Sequence, residues 1–155
     1  MDVAEVVRAL LARGETVATA ESLTGGLVAA TLVEIPGVSA VFRGGFVVYA
    51  TDLKHALAGV PEKLLAERGA VDPDVALALA AGARERCAAD WGLATTGVAG
   101  PDPQDGKPVG LVYVAVAGPG GPAVRELRLT GDRSQLRIAS VTAVLTLLDE
   151  QLTDH

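Results

Sequence analysis

The chain has 155 residues, half of them hydrophobic but only 3% aromatic, and a net charge of −6. That length suffices for one domain whose core must be built from Ala, Val and Leu. The acidic balance, with no basic run, argues against a nucleic-acid surface as the main business, and no apolar run reaches the roughly 18 residues of a membrane span. The N-terminus lacks a signal-peptide pattern. The single cysteine, Cys87, cannot form an internal disulfide and reads as a small packing residue. The expected compartment is the cytoplasm.

In chain order, residues 2–13 read as an amphipathic helix, with Val3, Val6, Val7, Leu10 and Leu11 at spacings of three and four. Gly14 is its expected C-cap. Thr16 to Ala20 reads as the first strand and residues 24–35 as the second helix, closed by Pro36-Gly37. Gly44 to Tyr49 is β-branched and aromatic, the second strand. Residues 52–58 lead to Gly59-Val60, and a short helix spans about Pro61 to Arg68, with Gly69 after it. Asp72 and Pro73 are the expected N-cap and first residue of an Ala-rich helix running to about Asp90. Gly92 to Thr96 is the third strand. Residues 97–108 hold three Gly and three Pro in twelve, which forbids both helix and ladder. A loop of that length in a compact domain is usually functional or disordered. Val109 to Ala117 is a fourth strand, apolar enough to be covered on both faces. Gly118 to Gly121 turns the chain into an alternating fifth strand, Ala123 to Leu129, pairing antiparallel with the fourth. A last helix runs from Gly131-Asp132 to about Leu152. Five strands, helices between the early ones and a late hairpin imply an α/β sandwich around a mixed sheet.

Three stretches can carry chemistry. The first is Glu21-Ser22-Leu23-Thr24-Gly25-Gly26, between a strand and a helix. The first amides of that helix have no internal partner and can stabilise negative charge. If Ser22 is a nucleophile, an oxyanion can form in front of Thr24, Gly25 and Gly26; local sequence alone favours the plainer reading of Ser22 or Thr24 as a helix cap. The second stretch is Tyr49 to Lys54, and the third is the 97–108 loop. In a mostly parallel sheet the carboxyl ends of the strands gather at one edge, so all three can meet there.

Serine needs a base. Of the two histidines, His155 is the last residue, where terminal disorder is expected, and His55 stays open as a base. There is no Gly-x-Ser-x-Gly elbow. Lysine is the other option, provided its pKa falls by several units from about 10.4 through burial or a nearby positive charge. Lys54 follows an apolar strand, and Tyr49, five residues earlier, is placed to relay a proton or hold it. A solvated lysine and a packing tyrosine are the plain alternatives. One Cys, two His and no carboxylate–His cluster imply no metal. No cofactor motif is present.

The motif Ala20-Glu21-Ser22-x-Thr24-Gly25-Gly26 resembles the opening motif of the CinA C-terminal domain family, which includes the nicotinamide-nucleotide amidases. Further matches follow in family order: Gly45 to Tyr49 with Lys54 and Gly59-Val60, then Gly69-Ala70-Val71, then Thr96 to Asp102 with Lys107 to Gly110, then Gly131-Asp132-Arg133. Leu23 stands where many relatives carry cysteine. The resemblance implies a three-layer α/β/α sandwich around a five-stranded mixed sheet, with residues 1–155 as one amidohydrolase domain. It implies deamidation of nicotinamide mononucleotide to nicotinate mononucleotide and ammonia, with Ser22 as nucleophile and Tyr49 and Lys54 as its activating pair.

On that reading Thr24, Gly25, Gly26, Thr96, Gly97 and Gly100 line the substrate site, and Arg133 is the candidate for the ribose phosphate. The partner is a small nucleotide, with no cofactor, nucleic acid or membrane, and a homo-oligomer is open. A non-catalytic nucleotide-binding or competence-associated module, or a hydrolase of another amide, would use the same residues.

Overall fold

The computed structural model describes residues 1–154. His155, the other histidine of the sequence, lies outside the described residues. Five strands form one sheet: β1 (Val17–Glu21), β2 (Phe42–Val47), β3 (Trp91–Gly97), β4 (Leu111–Gly118) and β5 (Gly121–Arg128). Their spatial order is β2-β1-β3-β4-β5. β2, β1 and β3 run parallel, while β4 and β5 are antiparallel to their neighbours. The sheet is mixed, as the late hairpin requires.

Six helices cover it among the described residues: α1 (Val3–Arg13), α2 (Leu27–Val33), α3 (Thr51–Ala56), α4 (Glu62–Arg68), α5 (Pro73–Arg86) and α6 (Arg133–Thr153). Two apolar clusters fill the two faces. One joins Val6, Leu10, Leu32, Leu145 and Leu148 to the strand residues Trp91, Leu93, Val112 and Val114. The other joins Val75, Leu79 and Ala83 to Ala18, Ala20, Ala94 and Ala115. Alternate residues of β3 and β4 thus serve opposite clusters, and β4 is buried along its whole length. This is why its sequence shows no alternation.

Local signals set the ends of the helices. The Asp2 carboxylate accepts from Ala4 N, and Gly14 closes α1 in the left-handed region. Asp72 caps α5 ahead of Pro73. Asp132 and Gln135 form a reciprocal capping box at the head of α6.

Several boundaries differ from the sequence reading: α5 ends at Arg86 rather than near Asp90, β4 starts at Leu111 rather than Val109, β5 spans Gly121–Arg128 rather than Ala123 to Leu129, and β2 starts at Phe42. Three further differences shape the site. α2 starts at Leu27 rather than at residue 24, because Gly25 (φ +57°) and Gly26 (φ +106°) are left-handed and hold the chain in a turn. β2 stops at Val47, so Val48 and Tyr49 lie beyond the ladder. Residues 51–56 form a helix of their own, α3, which carries Lys54 inward.

Candidate active site

β1 delivers Ser22 one residue past its end, where the Ser22 amide donates to Thr95 O at 3.0 Å and continues the β1–β3 ladder. The next residues fold back on themselves: Gly25 N donates to Ser22 O (3.0 Å) and Leu27 N to Thr24 O (3.0 Å). Arg137, on α6, clasps this turn from outside through Nε to Leu23 O (2.9 Å) and Nη2 to Thr24 O (3.1 Å). Ser22 is nearly buried, with 8% of its surface exposed.

Lys54 reaches Ser22 from α3. Its Nζ lies 2.8 Å from Ser22 Oγ, 2.7 Å from Val48 O and 3.3 Å from Tyr49 O. The two carbonyls belong to the chain leaving β2, so the end of that strand forms a socket for the amine. Lys54 is 1% exposed, and among the described residues no carboxylate forms an ion pair with it. Burial lowers its pKa from 10.5 to about 8, against a smaller pull the other way from the Asp105 carboxylate. A neutral amine has two protons and one lone pair. Carbonyl oxygens only accept, so both protons go to Val48 O and Tyr49 O, and the lone pair is left facing the Ser22 hydroxyl. The arrangement is that of a serine with its base in place.

The glycine loop and Arg133 complete the site. Ser22, Leu23, Tyr49, residues 97–100, Asp102, Gln104 and Arg133 enclose a largely polar cavity of about 100 Å³. At its rim the Arg133 guanidinium donates to Gly100 O (2.5 Å) and to the Tyr49 hydroxyl (2.6 Å). Behind the loop, Ala70 is held from both sides. Its amide donates to Asp105 Oδ2 (3.4 Å), and its carbonyl accepts from Thr96 Oγ1 (2.7 Å). The amides of Leu23, Ala99 and Gly100 have no partner among the described residues.

The structure brings Ser22, Tyr49, Gly97, Gly100 and Arg133 to one cavity, sets Lys54 against Ser22 without lining that cavity, and places other expected residues elsewhere. Tyr49 approaches Lys54 only through its backbone carbonyl; its hydroxyl is bound to Arg133. Thr96 turns its side chain to Ala70. Thr24 turns inward to Glu21 and Thr95, Gly25 N is used by the turn, and Gly26 lies past it. The head of α2 is not open to a ligand anion. The Glu21 carboxylate already occupies it, accepting from Val28 N (2.8 Å) and Ala29 N (3.1 Å). His55 is no base for Ser22: its ring bridges Val60 O and Glu62 on the far side of α3.

Glu21, Thr95, Asp105 and Arg137 were given no role at the site by the sequence. Only Glu21 carried a signal, as the acidic residue of the Ala-Glu-Ser motif, and it lies in a strand that is buried throughout.

Residues 2–152 match the family model for the CinA C-terminal domain. The chain belongs to that family. A "CinA-like protein" of Frankia casuarinae is 51% identical over 147 residues, covering 95% of this chain and 34% of that protein. The chain thus spans about a third of the length of the curated CinA-like relatives it matches. Among solved structures, the competence/damage inducible protein CihA from Agrobacterium tumefaciens is 39% identical, with a TM-score of 0.89 over 99% of this chain and 96% of that one. A CinA superfamily protein from Klebsiella pneumoniae is 31% identical, with a TM-score of 0.93 and full coverage of both chains. The α/β fold with its five-stranded mixed sheet is therefore the CinA fold.

Proposed function

We propose that this chain is a metal-independent amidohydrolase that deamidates nicotinamide mononucleotide, with Ser22 as nucleophile and Lys54 as its base. The observation that carries this reading is the position of Lys54 Nζ, 2.8 Å from Ser22 Oγ with two carbonyls that can only accept as its other partners; in the neutral amine this leaves the lone pair for Ser22. The substrate follows from the family resemblance.

The steps use this chain's own groups. Neutral Lys54 takes the proton of Ser22 as Oγ attacks the carboxamide carbon. The tetrahedral oxyanion is held by unpartnered amides at the cavity wall, those of Leu23, Ala99 and Gly100 being free for it. The Lys54 ammonium returns its proton to the leaving nitrogen, so ammonia departs and a nicotinoyl ester remains on Ser22. Lys54 then deprotonates a water, which attacks the ester. Ser22 recovers its proton from Lys54, and the product acid leaves, losing its own proton to solvent as the carboxylate.

A cavity of about 100 Å³ has room for the reacting end of a ligand, well below the roughly 300 Å³ of a pocket that encloses a whole small molecule. The ribose phosphate therefore extends past the rim, where Arg133 is the cation that meets it. The test is ammonia and nicotinate mononucleotide formed from nicotinamide mononucleotide, with chelator present. Wild type is expected to form both in equal amounts and Ser22→Ala neither, with an unchanged melting temperature. Turnover near the wild-type rate by Ser22→Ala ends the nucleophile assignment. Binding without product by the wild type favours a non-catalytic nucleotide-binding module.

A further inference from the structure

Directly behind Ser22 lies a second buried polar array that the proton transfers do not use. Glu21 is 1% exposed, and its two carboxylate oxygens accept from Val28 N, Ala29 N and, at 2.6 Å, Thr24 Oγ1. Thr24 Oγ1 lies 2.8 Å from Thr95 Oγ1. Thr95 Oγ1 in turn lies 3.4 Å from the Ser22 amide, whose main partner is Thr95 O. Thr24 and Thr95 are fully buried, and the parallel ladder sets Glu21 in register with Thr95.

The direction of this chain is fixed by chemistry. A carboxylate only accepts, so the Thr24 hydroxyl must donate to Glu21. Its oxygen then accepts from the Thr95 hydroxyl. The lone pairs of Thr95 are left toward the Ser22 amide. One acceptor at the end thus orients every hydroxyl up to the backbone of the nucleophile, in surroundings dry enough to make each bond count. The same carboxylate also ties the first turn of α2 to the end of β1, so the two arms of the Ser22–Gly26 turn cannot separate.

We infer that Glu21 is a positioning residue for the reaction, acting through Thr24 and Thr95 to hold Ser22 Oγ on the amine of Lys54. The inference rests on the nucleophile assignment above but not on the identity of the substrate. A residue that only supports the fold would change stability. A residue that holds Oγ in place changes the reactivity of Ser22 at constant fold.

The experiment reads that reactivity without the natural substrate. Labelling of Ser22 by phenylmethylsulfonyl fluoride is followed by intact mass and peptide mapping in wild type, Thr24→Ser, Thr24→Val and Glu21→Gln, beside circular dichroism and melting curves. Thr24→Ser keeps the hydroxyl and is expected to label at the wild-type rate. Thr24→Val keeps the shape but removes the link, and Glu21→Gln sets a donor among donors. Both are expected to label about tenfold more slowly or less, and where the amidase reaction is measured kcat falls while KM stays within about twofold.

The Thr24 pair carries the test if Glu21→Gln does not fold. Thr24→Val labelling as fast as wild type overturns the inference. So does an equal loss in Thr24→Ser and Thr24→Val. Wild type that labels at Ser22 but releases no ammonia defeats the substrate reading alone, whereas wild type that does not label at Ser22 defeats both.

Discussion

Lys54 Nζ stands 2.8 Å from Ser22 Oγ, and Ser22 is the only one of its three oxygen neighbours with a proton to give. This pair couples stability to pH as well as carrying the chemistry. The folded-state pKa of about 8 lies below the unfolded value of 10.5. Between those two values the unfolded chain holds a proton that the folded chain has lost, so folding becomes more favourable as pH rises. Below about pH 8 both states are protonated, and the cost of burying the ammonium is felt in full. Relative to Lys54→Met, wild type is expected to gain about 3 kcal/mol from pH 8 to 10.5. Chemical denaturation of both proteins across that range checks it; parallel stability profiles contradict it.

The charge of Asp105 raises the pKa of Lys54 while its Oδ2 holds Ala70 N. Asp105→Asn keeps an acceptor for that amide and removes the charge. Lys54 then loses its proton more easily, and the rising limb of the pH–rate profile moves to lower pH, with the plateau rate within about twofold of wild type. An unmoved or upward-shifted limb separates Asp105 from Lys54.

Tyr49 and Arg133 act as a pair at the rim. Tyr49→Phe removes the hydroxyl that receives Arg133 but leaves the carbonyl that receives Lys54. It is expected to raise KM without moving the pH limb. Arg133→Gln removes a charge-assisted contact of about 1.5–3 kcal/mol, so KM rises about 10- to 100-fold. The double variant is expected to lose less than the sum of the two.

The β1–β2 pairing holds Ser22 and the socket of Lys54 in one frame, and it leaves no room at Gly45. A Cβ there would come within 2.1 Å of Thr19 Oγ1 and 2.5 Å of Thr19 O, directly across the ladder. Gly45→Ala is expected to lower stability by about 1–3 kcal/mol, read by denaturant unfolding, and to weaken turnover by parting the two strands.

Much of this was legible in the sequence because local signals and global order agree. Asp2, Gly14, Asp72-Pro73 and Asp132 mark helix ends by side-chain chemistry. The alternation of β5 against the unbroken apolar run of β4 gives an edge and a covered strand. Convergence of Ser22, Tyr49 and the glycine loop follows from three parallel strands in a row.

The rest depended on contacts between distant segments. Nothing in Thr51–Ala56 says that Lys54, on a six-residue helix, is the buried member. Its burial is set by the carbonyls of Val48 and Tyr49 after the strand stops pairing. The pattern Ser-x-Thr-Gly-Gly suggested an anion site at a helix head. Glu21 fills that head from one turn away, which local propensity does not show.

The central claim is that neutral Lys54 deprotonates Ser22. The most direct measurement is ammonia release from nicotinamide mononucleotide across pH 6–10 by wild type and Lys54→Ala, with chelator present. Wild type is expected to show kcat/KM rising with pH to a plateau, with a midpoint near the lowered lysine value of about 8. Lys54→Ala is expected to lose turnover and that limb together. Release by Lys54→Ala with the same rate and the same pH dependence as wild type would contradict the assignment of Lys54 as the base.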